Sequence, residues 1–125
     1  MKPAFDDRRP IFLQIKEQLE DQIVNGQLQE HEQIPSTTKM VQFYEVNHLT
    51  IAKGMNQLVD EGIIYKKRGV GMFVNEGARE KLRQKRKEAF ADTYVRPMLQ
   101  EAKKLGLSEQ EVKHIIKTIE EGGET

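Results

Sequence analysis

Cysteine and tryptophan are absent from this chain of 125 residues, and its hydrophobic runs are short. The lack of cysteine excludes disulfides, thiolate nucleophiles and cysteine zinc sites. No segment approaches the roughly 20 apolar residues that cross a membrane, and the first residues lack the apolar stretch of a signal peptide. We therefore expect a cytoplasmic protein that has no membrane contact and needs no cofactor.

Residue clusters that perform catalysis are also missing from the sequence. The three histidines, His31, His48 and His114, lie in different segments, without metal-ligand spacing and without a motif around a serine or a carboxylate pair. The sequence therefore predicts no catalytic residue and no metal site, and it does not predict an enzyme.

Charged residues are abundant in the chain, and they are unevenly distributed. Charged residues make up 32% of the chain, and 20 basic residues balance 20 acidic ones. Residues 36–75 carry five basic and three acidic residues, whereas residues 1–35 carry four and seven. A neutral total argues against a protein that is basic all over, but a local basic region can still bind nucleic acid. The basic run at 79–87 is more typical of a solvated helix face.

Three helices and a β-hairpin are predicted within the first 75 residues. Apolar spacing and end signals place helices at 10–25, at about 37–44 and from 47 to about 61. The runs at 63–67 and 72–74 are rich in β-formers and surround a turn that contains glycine. Three helices followed by a hairpin indicate a winged helix-turn-helix domain over residues 1–75.

The remaining residues, 76–125, are predicted to form a helical dimerisation segment. The predicted fold class of the whole chain is therefore mainly α with a small β-hairpin wing. Pro97 should kink or divide a helix at 77–105, and Ser108 opens a capping box for a last helix. About fifty residues are too few for an independent core, so we expect their apolar stripes to pack against a second copy. The stripe residues are Phe90, Tyr94, Met98, Ala102, Leu105, Val112, Ile115, Ile116 and Ile119.

Three polar segments are candidates for contact with double-stranded DNA. The second helix of a helix-turn-helix places its N-terminal residues in the major groove, and a helix N-terminus can bind a phosphate. Consecutive cations on a protruding turn repel one another and favour an anionic partner. Asn47 is equally suited to be only a helix cap, and Ser36 is expected to cap its helix in either case. The predicted contact residues are Ser36, Thr37, Thr38, Lys39, Asn47, His48, Leu49, Thr50, Lys53, Lys66, Lys67, Arg68, Gly69 and Gly71.

In order and spacing, the motifs resemble those of the GntR superfamily of bacterial winged-helix regulators. The resemblance covers about residues 8–75 through the motifs at 10–15, 34–36, 46–51, 58–63 and 69–74. The tail, with Arg96-Pro-Met and the motif at 101–108, is similar to the YtrA-like branch, which lacks a large effector domain. This resemblance implies a homodimeric DNA-binding repressor, often of operons for membrane transporters.

The chain departs from the family pattern at three positions where arginine is common. They hold Thr38, His48 and Ala52. Each departure removes a bidentate contact to guanine or phosphate, so the base preferences of the family are not carried over.

A two-fold dimer should bind an inverted repeat with half-sites roughly 34 Å apart or a multiple of that distance. Two alternatives stay open: a winged-helix module that docks a protein, and a regulator that binds a metabolite at the dimer seam. The sequence points to no particular effector.

Overall fold

The computed structural model describes residues 4–123, so the outermost ends of both predicted domains, residues 1–3 and 124–125, lie outside the described residues. Helices and a two-stranded hairpin follow one another in the predicted order, and the predicted fold class is confirmed. The elements are α1 (Ile11–Val24), α2 (Thr37–Tyr44), α3 (His48–Asp60), β1 (Ile64–Lys67), β2 (Gly71–Val74), α4 (Ala78–Phe90), a π-helical turn (Ala91–Val95), α5 (Arg96–Lys104) and α6 (Glu109–Glu120).

Side-chain caps set where α2 and α3 begin. The Ser36 hydroxyl accepts a hydrogen bond from the Lys39 N–H at 3.2 Å, and the Asn47 Oδ1 accepts one from the Thr50 N–H at 2.8 Å. Each bond satisfies one of the N–H groups that a helix leaves without an internal partner. Between the two helices the chain turns at Glu45, which has the left-handed φ of 56°. The short turn of a helix-turn-helix is therefore built from local signals.

Close packing of α1 against α3 forms the centre of the core. Ile15 and Ile23 of α1 meet the fully buried Ile51 and Leu58 of α3. The helices approach so closely that a β-carbon at Gly54 would lie 2.9 Å from the carbonyl oxygen of Phe12. The glycine in the middle of α3, which costs helix stability, is thus explained by the approach of the α1 backbone.

The wing, defined as β1, β2 and the turn between them, has a second edge that the sequence did not predict. Within the hairpin, Ile64 pairs with Val74 and Lys67 pairs with Gly71. Along the other edge of β2, the Ile34 N–H donates to the Met72 carbonyl at 2.9 Å, and the Val74 N–H donates to the Glu32 carbonyl at 3.0 Å. The segment that leads into α2 is therefore bonded to the wing.

The described residues divide into two compact units within α4, the first ending at Lys85 and the second beginning at Arg86. The first unit extends ten residues beyond the predicted limit at residue 75. It does so because Ala78 and Leu82 are buried in its core, and because the Arg79 Nε donates to the Val24 carbonyl at the end of α1, at 3.0 Å.

In the second unit, the predicted kink or division at Pro97 is not a break, because the helical backbone continues from α4 through the π turn into α5, with Pro97 in the first turn of α5. Proline has no N–H and crowds the preceding turn, and immediately before it the backbone widens into the π turn, in which the Arg96 N–H donates to the Ala91 carbonyl. The predicted capping box at Ser108 is present. The hydrogen bond from the Ser108 backbone N–H lowers the pKa of Glu111 below its usual value. The Ser108 hydroxyl lowers the same pKa by a smaller amount. Across residues 4–123, none of the helices combines the length and the apolar character that a membrane crossing requires.

Candidate nucleic-acid interface

The start of α2, one face of α3 and the wing line a common groove of about 410 Å³. Of the predicted contact residues, those at the start of α2 and in the wing that line the groove are Ser36, Thr37, Lys66, Lys67, Arg68, Gly69 and Gly71. The remaining predicted residues, Thr38, Lys39, Asn47, His48, Leu49, Thr50 and Lys53, are not part of its lining. The groove is lined by Gln33, Ile34, Ser36, Thr37, Ala52, Met55, Asn56 and residues 66–72.

The first turn of α2 presents a helix N-terminus to this groove. Thr37 is half-buried and lines the groove, whereas Thr38 and Lys39 are exposed. The Ser36 side chain is used as a cap on the Lys39 N–H. The N–H groups of Thr37 and Thr38 have no partner within the helix, and such groups bind phosphate oxygens well.

At the start of α3, the polar side chains are partly engaged with each other. The Asn47 Oδ1 accepts from both the N–H and the hydroxyl of Thr50, the latter at 3.1 Å, so Asn47 is a helix cap. His48 is exposed, and Leu49 is 69% exposed. The Lys53 ammonium lies over the Phe12 ring, 4.3 Å from its centroid. The exposed tip of α3 is consequently less polar than its sequence suggests.

The three wing cations differ in how they are held. Lys66 donates to the Asn56 Oδ1 at 2.9 Å, and the Lys67 ammonium lies 5.0 Å from the centroid of the Phe73 ring. In the part of the chain that the structure describes, Arg68 is the wing cation whose guanidinium has no ion pair, hydrogen bond or ring contact. Arg68 is therefore the cation best placed to bind an external anion.

Gln33 braces the wing tip, and sequence reasoning did not identify it. Its Nε2 donates to the Val70 carbonyl at 3.1 Å. A β-carbon at Gly71, where φ is 148°, would lie 2.5 Å from that same Nε2. The Gln33 amide therefore occupies the space that a side chain at position 71 would need, and Gly71 is a predicted contact residue. Gly69, in contrast, has open space around it. Because Gln33 and Gly71 lie far apart in the chain, no local sequence pattern predicts that the two residues are in contact.

The charge on this side of the first unit favours an anion. From Ser36 to Val74 the acidic residues are Glu45, Asp60 and Glu61. Glu61 accepts from Lys16, a nearly buried lysine of α1, at 2.8 Å and is neutralised by it. The cations of the wing and of α2 therefore meet little opposing charge along the groove.

A search against known families matches residues 12–74 to the bacterial regulatory proteins of the gntR family. The matched range runs from α1 to β2 and includes every residue that lines the groove. The chain belongs to the GntR family. The relatives and solved structures that it matches are transcription regulators and not enzymes.

Individual proteins extend the comparison of this GntR-family chain. It is 32% identical over 125 residues to the HTH-type transcriptional regulator YhcF of Bacillus subtilis, covering 98% of this chain and all of YhcF. It is 37% identical over 67 residues to the HTH-type transcriptional repressor NagR of the same organism, which is 54% of this chain but 28% of NagR. The crystal structure of the AraR DNA-binding domain with operator ORE1 matches with a TM-score of 0.53 and 29% identity, over 59% of this chain and 92% of that one.

The second unit of this GntR-family protein has almost no core of its own. Among its described residues, 86–123, Ala102 is the one buried residue, at 7% exposure. Ala102 was predicted to lie at a dimer seam, but its side chain is covered by its own chain. Of the other predicted seam residues, Val112 and Ile115 are half-buried. The exposed large apolar residues are Phe90, Tyr94, Met98, Leu105, Ile116 and Ile119, joined by Leu99, which sequence reasoning missed.

Proposed function

We propose that this GntR-family protein binds operator DNA as a homodimer and represses transcription. The observation that carries the proposal is the common groove, in which a helix N-terminus, the face of α3 and a basic wing meet. Two comparisons support it: a solved relative is bound to an operator, and a sequence relative is named a repressor. A dimer seated on an operator would block transcription by occupying the DNA.

The start of α3, the first turn of α2 and the wing would each perform one task in binding. The N-terminal residues of α3 would enter the major groove and face base edges, which specify the sequence. The first turn of α2 and the wing would contact the sugar-phosphate backbone, which positions the protein without reading bases. Among the wing residues, Arg68 would make the outermost contact, either to a phosphate or in a narrow minor groove.

The exposed apolar surface of the second unit supports the homodimer. Seven large apolar side chains are exposed there, and such a surface on a unit without a core needs a partner. A second copy carries the same surface and can pair with it by two-fold symmetry. The protein would then bind an inverted repeat with half-sites roughly 34 Å apart, or a multiple of that distance.

We also infer membership of the YtrA-like branch and a cytoplasmic location. The tail motifs at 96–98 and 101–108 support the branch, and identity to YhcF extends over the full length of that regulator. Binding to chromosomal DNA in a bacterium takes place in the cytoplasm.

Selection from a random duplex library, followed by titration at several salt concentrations, tests the proposed function. We expect the wild type to bind the selected duplex about a thousandfold more tightly than a scrambled duplex. Because each of the two chains loses one phosphate contact, Arg68→Ala should weaken binding to both duplexes equally, by about tenfold to a hundredfold, and lower the salt slope by about 2.

Arg83→Ala serves as the matched control, because Arg83 is an exposed arginine on α4, outside the groove. Its affinity and salt slope should equal those of the wild type. A wild type that binds the selected duplex no better than the scrambled one, or no better than heparin, would contradict sequence-specific regulation.

A further inference from the structure

One face of α3 carries an apolar side chain where a DNA-reading residue is expected. Leu49, Ala52 and Asn56 are three and four positions apart, so they share a helix face. Ala52 and Asn56 line the groove opposite the wing. Leu49 lies on that face at the N-terminal end of α3, the end that approaches bases in a helix-turn-helix. It is 69% exposed and is the most exposed large apolar side chain of the described residues.

The neighbours of Leu49 offer little polar chemistry for reading guanine. From His48 to Met55 the one side chain that is a permanent cation is Lys53, and its ammonium lies over the Phe12 ring. The Asn47 Oδ1 and the Thr50 hydroxyl bond to each other at 3.1 Å. His48 is exposed beside Leu49, and Leu49 is the exposed side chain of this part of α3 that can make only an apolar contact.

In the major groove of DNA, the apolar group that distinguishes base pairs is the C5-methyl of thymine. A leucine side chain cannot form hydrogen bonds with the donors and acceptors of a base edge. Placed against these groups without an apolar partner, it adds nothing to the free energy of binding. We propose that Leu49 is a specificity-determining residue that packs on a thymine methyl group in each half-site of the operator. This inference rests on the proposed function and adds to it the base that α3 reads.

The test removes the methyl group from the DNA and the leucine from the protein. Each thymine of the selected duplex is replaced in turn by deoxyuridine, which lacks only the C5-methyl. For the wild type we expect about a fourfold loss of affinity at one thymine in each half-site, the ratio that burial of one methyl group provides. Leu49→Ala should bind thymine and deoxyuridine at that position equally well.

Leu49→Met is the matched variant, because it keeps a long apolar side chain and should retain discrimination of thymine from deoxyuridine. Since Leu49 is exposed, neither variant is expected to disturb folding, and thermal unfolding verifies this. The proposal is overturned if no thymine is sensitive in the wild type, or if Leu49→Ala keeps the same sensitivity. Both results leave the proposed function standing, whereas a selection that yields no preferred duplex contradicts the proposed function itself.

Discussion

Two glycines of the wing tip, which look alike in the sequence, have different tasks in the structure. Gly69 has a left-handed φ of 77° and open space around it, as a tight turn requires. Gly71 lies under the Gln33 amide, which reaches the Val70 carbonyl. Turn chemistry predicts the first task, because it depends on adjacent residues. The second depends on a residue 38 positions earlier, which no local pattern reveals.

Gln33→Ala should weaken DNA binding although Gln33 touches no proposed DNA-reading residue of α3. Losing the bond to Val70 frees the wing tip, which must then be ordered on binding, at a cost of about 1 kcal/mol per wing, or about a 30-fold rise in Kd for a dimer with two wings. Electrophoretic mobility shift titrations of Gln33→Ala, Arg68→Ala and the double variant check this expectation.

The two effects should be less than additive, because Gln33 acts through the position of the wing. Gln27→Ala, at an exposed glutamine in the turn after α1, is the control and should bind like the wild type. Fully additive losses would show that Gln33 does not position Arg68.

At the scale of elements, the sequence predicts what local chemistry decides. The caps at Ser36, Asn47 and Ser108 are confirmed, whereas the helix near Pro97 is widened by a π turn and not divided. The pairing of residues 31–34 with β2 was not predicted, because no spacing signal connects segments so far apart in the chain. The same holds for the burial of α4 residues in the first unit.

The π turn before Pro97 has a consequence for the apolar stripe that periodicity alone misses. In an α-helix, residues four apart drift by about 40° around the axis. A π turn takes more residues per turn and reduces this drift between Phe90 and Tyr94, which flank or lie within it. The Phe90 and Tyr94 ring centroids lie 5.7 Å apart.

Gly54→Ala distinguishes helix propensity from packing. Propensity alone predicts that alanine in α3 stabilises the protein by about 1 kcal/mol. The close approach of the Phe12 carbonyl predicts the opposite, a loss of about 1 to 3 kcal/mol in the free energy of unfolding, because the helices must move apart. Urea unfolding measures the sign. Gln42→Ala, at an exposed position of α2, should change stability little, and a more stable Gly54→Ala would refute close packing here.

At the scale of the molecule, the first unit has a core of its own and the second has almost none. The family match covers residues 12–74, within the first unit. The second unit begins inside a helix, so its limit could not be read from a linker in the sequence. A dimer would bury these exposed apolar residues, and we propose that two copies joined through this unit bind one duplex.

Sedimentation velocity on mixtures with the selected duplex tests this proposal. The measurement compares the wild type with Leu99→Glu and with the control Gln100→Glu. Leu99 is 52% exposed on α5, and Gln100→Glu adds the same charge one residue away, at a position that is not apolar. We expect two chains per duplex for the wild type and the control. Leu99→Glu should be monomeric at micromolar concentration and bind roughly a hundredfold more weakly, because the second half-site no longer contributes. A wild type that binds as a single chain, or a Leu99→Glu variant with unchanged stoichiometry and affinity, would show that the second unit does not join two copies on the duplex.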